Sequence, residues 1–204
     1  MSFSQLGQDL AVVEFYKGKE GGYFVEVGAS DGIELSNSFL LETKYKWKGI
    51  CCEPIPLRFQ KLVVNRPNSI CFNDAIYSKS GLSLTFSIAH ADLCSGISKH
   101  ITAHKSRVDI NKSEITVNTL TLTDALDKAN APRFIEYLSL DTEGSELEIL
   151  KSFDFSKYTF GLIDVEHNYQ EPIRSKIRSL LLSKGYVYKG KNHWDDMYKH
   201  SSLT

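Results

Sequence analysis

Hydrophobic positions along this chain fall into short apolar runs that alternate with amphipathic stretches, the pattern of a mostly parallel β-sheet covered by helices on both faces. The runs at 23–27, 49–52, 69–72, 135–141 and 160–166 read as strands. Residues 36–45, 57–65, 123–129, 145–153 and 173–184 read as the helices between and after them. Residues 78–118 interrupt the alternation, with two short β segments at 82–88 and 115–117 separated by a polar loop. An insertion of that length in a small domain is usually a lid or a binding loop, so 88–114 is expected to form a substrate-binding loop. The chain closes with 186–188 and 196–198, two short strands expected to pair as an antiparallel hairpin.

No internal repeat, low-complexity tract or linker divides the 204 residues, and 42% of them are hydrophobic, enough for one well-filled α/β domain spanning 1–204. With 24 basic and 25 acidic residues the net charge is -1, which argues against a nucleic-acid or anionic-membrane surface. No apolar run approaches the roughly 20 residues of a membrane span, and the opening Met1-Ser2-Phe3-Ser4-Gln5 lacks the features of a signal peptide. A soluble, cytoplasmic protein is the expectation. Cys51, Cys52, Cys71 and Cys94 have no metal-ligand spacing, and the adjacent pair lies in a buried strand, so all four are expected to be reduced packing residues.

The first apolar run ends in Glu26-Val27-Gly28-Ala29-Ser30-Asp31-Gly32, a glycine-bearing turn with a carboxylate at each side and a helical stretch beyond. Such turns hold nucleotide-type cofactors at the carboxyl edge of a parallel sheet, with glycine where the backbone needs close approach or tight reversal. G-x-G-x-x-G is absent, which counts against a nicotinamide dehydrogenase. Two carboxylates would repel a pyrophosphate but suit a cation bearing an ammonium and a sulfonium, as S-adenosylmethionine does. Every other strand of the alternation also ends in acid: Glu53, Asp74, Asp141 with Glu143, and Glu166. One such acid complements the dipole of a following helix. Five strand ends on one edge point to a shared site. There Glu53 is placed to accept the ribose hydroxyls, and Asp74, with the small Ala75 beside it, to meet the adenine edge.

The stretch Asp141-Thr142-Glu143-Gly144-Ser145-Glu146-Leu147-Glu148-Ile149-Leu150 resembles the D-x-E-G-x-E-x-x-x-L signature of FkbM-type methyltransferases, and Ser4-Gln5-Leu6-Gly7-Gln8-Asp9 resembles the S-Q-x-x-Q-D opening of many members. The likeness runs over about residues 4–190 and is weak at 88–114. It implies a class I, Rossmann-like S-adenosylmethionine-dependent O-methyltransferase with a seven-stranded sheet, its last strand antiparallel. Sugars, nucleotide sugars, oligosaccharides or secondary metabolites would be the acceptors. By position, Glu26, Gly28 and Asp31 would frame the methionine part of the cofactor, Glu53 the ribose, and Asp74 and Ala75 the adenine, with Ala29, Asn37 and Pro54 also among the cofactor contacts. Asp141 would stand beside the transferred methyl group. Gln8 and Asp9 either close over the cofactor or begin a helix. A cofactor-binding but inactive partner domain is the reading from another class, and the intact acids at Glu53, Asp141 and Glu166 argue against it.

Methyl transfer to an alcohol needs in-line positioning and a route for the hydroxyl proton. His167, at a strand end between Glu166 and Asn168, is the first candidate base. Asp141, Glu166 and His167 also resemble the metal-holding pattern of sugar and catechol methyltransferases, with histidine where oxygen is usual. Magnesium, manganese, or a metal-free His167 base all remain open. His90, His100 and His104, with Cys94-Ser95-Gly96-Ile97-Ser98, are candidate acceptor contacts in the insertion. His193 and His200 look like surface groups. Tyr169 and Trp194 either stack on a sugar ring or edge an ordinary core.

Overall fold

The computed structural model of the chain describes residues 1–89, 94–101 and 111–203. Seven strands form the main sheet: β1 (Tyr23–Val27), β2 (Lys48–Cys52), β3 (Ile70–Phe72), β8 (Phe134–Leu140), β9 (Thr159–Glu166), β10 (Tyr186–Asn192) and β11 (Asp195–His200). Their order is β10-β11-β9-β8-β1-β2-β3. The five strands from β3 to β9 run parallel, whereas β11 is antiparallel to both β9 and β10. The expected terminal hairpin therefore forms, and its second strand slots between β9 and β10.

Helices cover both faces, which is why the central strands are apolar at consecutive positions. Phe24, Cys51 and Tyr137 pack toward α1 (Gln8–Phe15), α2 (Phe39–Tyr45) and α3 (Pro56–Asn65) through Val12, Leu41 and Leu62. Val25, Ile50, Cys52 and Leu138 pack toward α4 (Leu122–Lys128), α5 (Glu146–Ser152) and α6 (Ile173–Ser183) through Leu126, Leu150 and Leu181. Cys51 and Cys52 thus point to opposite faces as free, buried thiols. Helix α1 was not visible in the hydrophobic pattern because its apolar residues are spread around the helix and only Val12 among them is buried. Asp9, fully buried, accepts hydrogen bonds from the Phe3 N–H (2.8 Å) and the hydroxyls of Ser2 (2.6 Å) and Ser4 (2.8 Å). The opening pair starts helix α1, and Gln8 also lines the cavity at the sheet edge.

The interruption at 78–118 is more ordered than two short segments. β4 (Ala75–Ile76), β5 (Ser83–Ala89), β6 (Gly96–Ile97) and β7 (Lys112–Leu120) make a second sheet in the order β4-β7-β5-β6. β5 and β7 pair from Ser83↔Asn118 to Ala89↔Lys112, over a small core that includes Tyr77, Phe86, Ile97 and Val117. β7 begins with the exposed Lys112-Ser113-Glu114, which carries no apolar signal, so the run at 115–117 understated it. His90 and His104 lie outside the described residues. Among the described residues no helix is long and apolar enough to cross a membrane.

Candidate functional site

The carboxyl ends of β1, β2, β3, β8 and β9 open onto one cavity of about 690 Å³, roofed by β5 and β6 and bordered by the N-terminal segment through Gln5 and Gln8. That volume lies within the ~300–1,000 Å³ of small-molecule sites, at the position where open α/β sheets bind ligands. Gly28 brings two of these ends together. Its φ is +88°, and a Cβ there would lie 2.2 Å from the Asp141 carbonyl oxygen, so only glycine lets the β1 turn touch the end of β8. The close approach that requires glycine is thus to Asp141. The N–H groups of Gly28 and Ala29 both donate to the Cys52 carbonyl at 3.0 Å, which ties the turn to β2.

Glu26 lines the cavity but is extensively satisfied by the protein. It accepts from the Ser36 hydroxyl (2.8 Å), the Asn37 N–H (2.6 Å) and the Ser38 hydroxyl (2.5 Å). Arg66, 1% exposed, lies beneath, with Nη1 3.4 Å from Glu26 and 3.2 Å from the Gly32 carbonyl, Nη2 on Ser38 (2.8 Å) and Nε on Glu42 (2.6 Å). This buried cation shapes the β1 turn from below, and no motif in the sequence marks it. Asn37 donates Nδ2 to Ser139 (2.8 Å), and its buried Oδ1 has no partner.

Glu53 also faces the cavity, with Oε2 fixed by the Ser30 N–H (3.0 Å) and Oε1 by the Ile55 N–H (2.8 Å); burial raises its carboxyl to about 7. Pro54, Asp74 and Ala75 line the same wall, and Asn73 holds the Glu53 carbonyl at 2.8 Å. The structure does not bring Asp31 to the cavity. Its Oδ1 accepts from the Ile33 (2.9 Å) and Glu34 (3.0 Å) N–H groups, capping its own turn. Ser30, which holds Glu53, takes the lining position beside it.

Carboxylate oxygens of Asp141, Glu143 and Glu166 lie within 4.8 Å of one another at the edge of the cavity. Asp141 opens onto the cavity while protein surrounds it on the remaining sides. Desolvation raises it to about 7, and raises Glu143, with the neighbouring Asp141 charge adding to the effect, to about 8. Glu166 is pushed well above the carboxylate range by burial and by the same neighbours, and it shares a hydrogen bond with Asp141. Glu143 is steadied by Asn168, whose Nδ2 donates at 3.2 Å, and by the Cys94 thiol. An all-oxygen set of this kind could hold a hard divalent cation such as magnesium.

His167 is not part of that set. It stands just past the end of β9, turned to Asp196 rather than the cavity, and burial lowers its proton affinity. Its Nδ1 accepts from the Tyr169 N–H (2.9 Å), which leaves Nε2 as the protonated nitrogen, 3.4 Å from Asp196. Arg174 and Arg178 hold the same Asp196. Neither the base nor the ligand role expected of His167 fits this placement, and Glu143 occupies the position it was expected to fill.

The strand ends contribute further acids that the turn motifs did not single out. Asp164, two residues before Glu166 on the same face of β9, accepts from Tyr137 (2.7 Å), and burial raises it to about 7. Asp195, opposite Glu166 on β11, accepts from Gln8 Nε2 (2.8 Å) and is raised to about 6 by burial. The spacing of Asp164 and Glu166 in an otherwise apolar run is a period-2 signal that could have located the first. Trp194 lines the cavity, whereas Tyr169 is 56% exposed and no part of a core. His100 bonds Tyr77 at 3.0 Å and does not reach the lining; Cys94, Ser95 and Ile97 do.

The domain model described as Methyltransferase FkbM domain matches residues 26–188. No curated protein matches the chain. Among solved structures, a METTL16 MTase domain has a TM-score of 0.55 at 10% identity, covering 97% of this chain and 67% of that one. A human methyltransferase 10 domain containing protein has a TM-score of 0.52 at 10% identity, covering 95% and 82%. Identities this low show a shared fold. The family match extends from the β1 turn through the Asp141–Glu146 signature into the terminal hairpin, and the chain belongs to the FkbM methyltransferase domain family, S-adenosylmethionine-dependent enzymes of the class I Rossmann-like fold.

Proposed function

We propose that this methyltransferase acts on a hydroxyl group of a sugar or glycan. The observation that carries the reading is the convergence of Asp141, Glu143 and Glu166 at the open edge of the cavity, beside the Gly28 turn. Bound S-adenosylmethionine supplies the methyl group on a sulfonium. The protein's part is to hold the acceptor oxygen in line, worth up to roughly 7 to 11 kcal/mol when geometry is ideal, and to take the hydroxyl proton. Glu143 is suited to the second task, since it faces the cavity from a fixed position with a proton affinity near working pH. Glu53 offers two backbone-oriented oxygens for the ribose, and Asp74 and Ala75 an adenine edge. Gln8, Glu26 and Asn37 border the methionine end, where the unpartnered Asn37 Oδ1 suits an ammonium donor.

A divalent cation would be held by Asp141, Glu143 and Glu166, where it would lower the pKa of a coordinated hydroxyl. The segment containing β6 and the Trp194 ring are assigned to acceptor recognition, since a sugar ring packs its apolar face on an aromatic one. The test is mass spectrometry of sugars and glycans incubated with protein and S-adenosylmethionine, read for a methyl-sized mass gain. Calorimetry with S-adenosylhomocysteine run beside it tests the cofactor site independently of the acceptor, and no binding would remove the methyltransferase reading from this cavity.

A further inference from the structure

Phosphate sites in α/β sheets are built from the backbone N–H groups of strand-to-helix turns, aided by cationic side chains. In this cavity N–H groups of the turns after β1, β2 and β8 are taken by the protein's own carboxylates. After β1, Asp31 accepts from the Ile33 (2.9 Å) and Glu34 (3.0 Å) N–H groups, Glu53 from Ser30 (3.0 Å) and Glu26 from Asn37 (2.6 Å). After β2, Glu53 also takes the Ile55 N–H (2.8 Å). After β8, Glu146 Oε1 takes both Thr142 (2.8 Å) and Gly144 (3.1 Å). Charge points the same way. Among the described lining residues nine are carboxylic acids and one, Arg58, is a cation, whose field already falls on Glu53.

Among the described residues, these turn donors are thus occupied, and the ionisable side chains around them are acids rather than cations. We propose that the acceptor is uncharged or amine-bearing, and that phosphate-bearing acceptors, including nucleotide sugars and nucleic acids, are excluded. The inference rests on the cavity being the methyl-transfer site. S-adenosylmethionine itself passes this filter, because its one carboxylate is outweighed by an ammonium and a sulfonium. An amine on the acceptor gains from the same field that repels a phosphate, and that gain is screened by salt.

The experiment is a defined acceptor panel with S-adenosylmethionine: neutral methyl glycosides, amino sugars, hexose 1-phosphates, UDP-glucose and a short RNA. Methyl transfer is expected to neutral or amine-bearing members, with kcat/KM for phosphate-bearing ones lower by roughly 100-fold or more. Comparable or faster turnover of a phosphate-bearing member overturns the proposal. If no member is methylated, calorimetry decides, titrating pyrophosphate and UDP-glucose into the protein alone and into protein saturated with S-adenosylhomocysteine. No binding at about 1 mM or tighter supports the exclusion, and binding in that range overturns it. Failure of S-adenosylhomocysteine itself to bind would strike at the functional reading instead, and the phosphate result would still be read on the protein alone.

Discussion

Asn168 donates its side-chain Nδ2 to Glu143 Oε2 across 3.2 Å, and both residues hold left-handed backbone, φ 44° and 59°. Asparagine tolerates that conformation, glutamate less so, and such residues persist where their surroundings over-determine them. Here the N–H groups of His167 (2.8 Å) and Asn168 (3.3 Å) both donate to the Trp194 carbonyl, so the terminal hairpin sets the turn that sets Glu143. Asn168→Gly keeps the backbone geometry and removes the amide. It is expected to lower kcat about 10- to 100-fold, the scale of one hydrogen bond to a charged group. S-adenosylhomocysteine affinity by calorimetry should change little; an unchanged kcat would remove Glu143 from the reaction.

Glu53→Gln should weaken cofactor binding by about 2 to 3 kcal/mol, because it removes the charge from a doubly oriented acceptor. Asp31→Ala removes a turn cap outside the lining, and its effect on affinity should stay below about 1 kcal/mol. Calorimetry on the two variants side by side checks the distinction, and equal losses would contradict it.

Arg66→Met strands Glu26 and Glu42 as buried, uncompensated acids. A loss of about 3 to 5 kcal/mol of stability is expected by urea titration, with the midpoint moving at unchanged slope. A cost under about 1 kcal/mol would mean that the turn does not depend on this cation.

The ligand-free protein should be less stable at pH 8 than at pH 5.5. Burial raises Glu53 and Asp164 to about 7 and Asp195 to about 6, whereas in the unfolded chain such groups titrate near 4. Between those values the folded state binds more protons than the unfolded state, so stability falls as pH rises from roughly 4 through 7, and Glu143, raised to about 8, extends the fall. A Tm lower by at least about 4 °C at pH 8 is expected in calorimetric scans. S-adenosylmethionine, a cation, should narrow the gap; a higher Tm at pH 8 without ligand would contradict the assignment.

Divalent-cation binding, measured with magnesium and manganese, should require Glu143 and Glu166 and not His167. Glu166→Gln is expected to abolish the calorimetric signal and His167→Gln to retain it, because His167 faces Asp196. Full turnover after exhaustive chelation would dispense with the metal and leave Glu143 as the base. Loss of the signal in His167→Gln alone would place the ligand set elsewhere.

What the sequence determined by itself was the layered architecture and the edge on which ligands meet it. Strands buried on both faces must be apolar throughout, so they stand out from the helices, and an acid closing each run is visible without coordinates. The signature at Asp141–Glu146 carries the family for the same reason, since its chemistry is local. The tertiary structure decided the rest. Whether Glu166 or His167 faces the cavity depends on the pairing of β9 with β8 and β11, which no local pattern states. That Asp31 caps its own turn while Ser30 supports Glu53 is settled by a few ångströms of turn geometry. Arg66 and Asp195 join the site from distant segments, by contacts that exist only once the chain has closed on itself. Spacing along a chain reports periodicity and local chemistry, and long-range convergence leaves no trace in either.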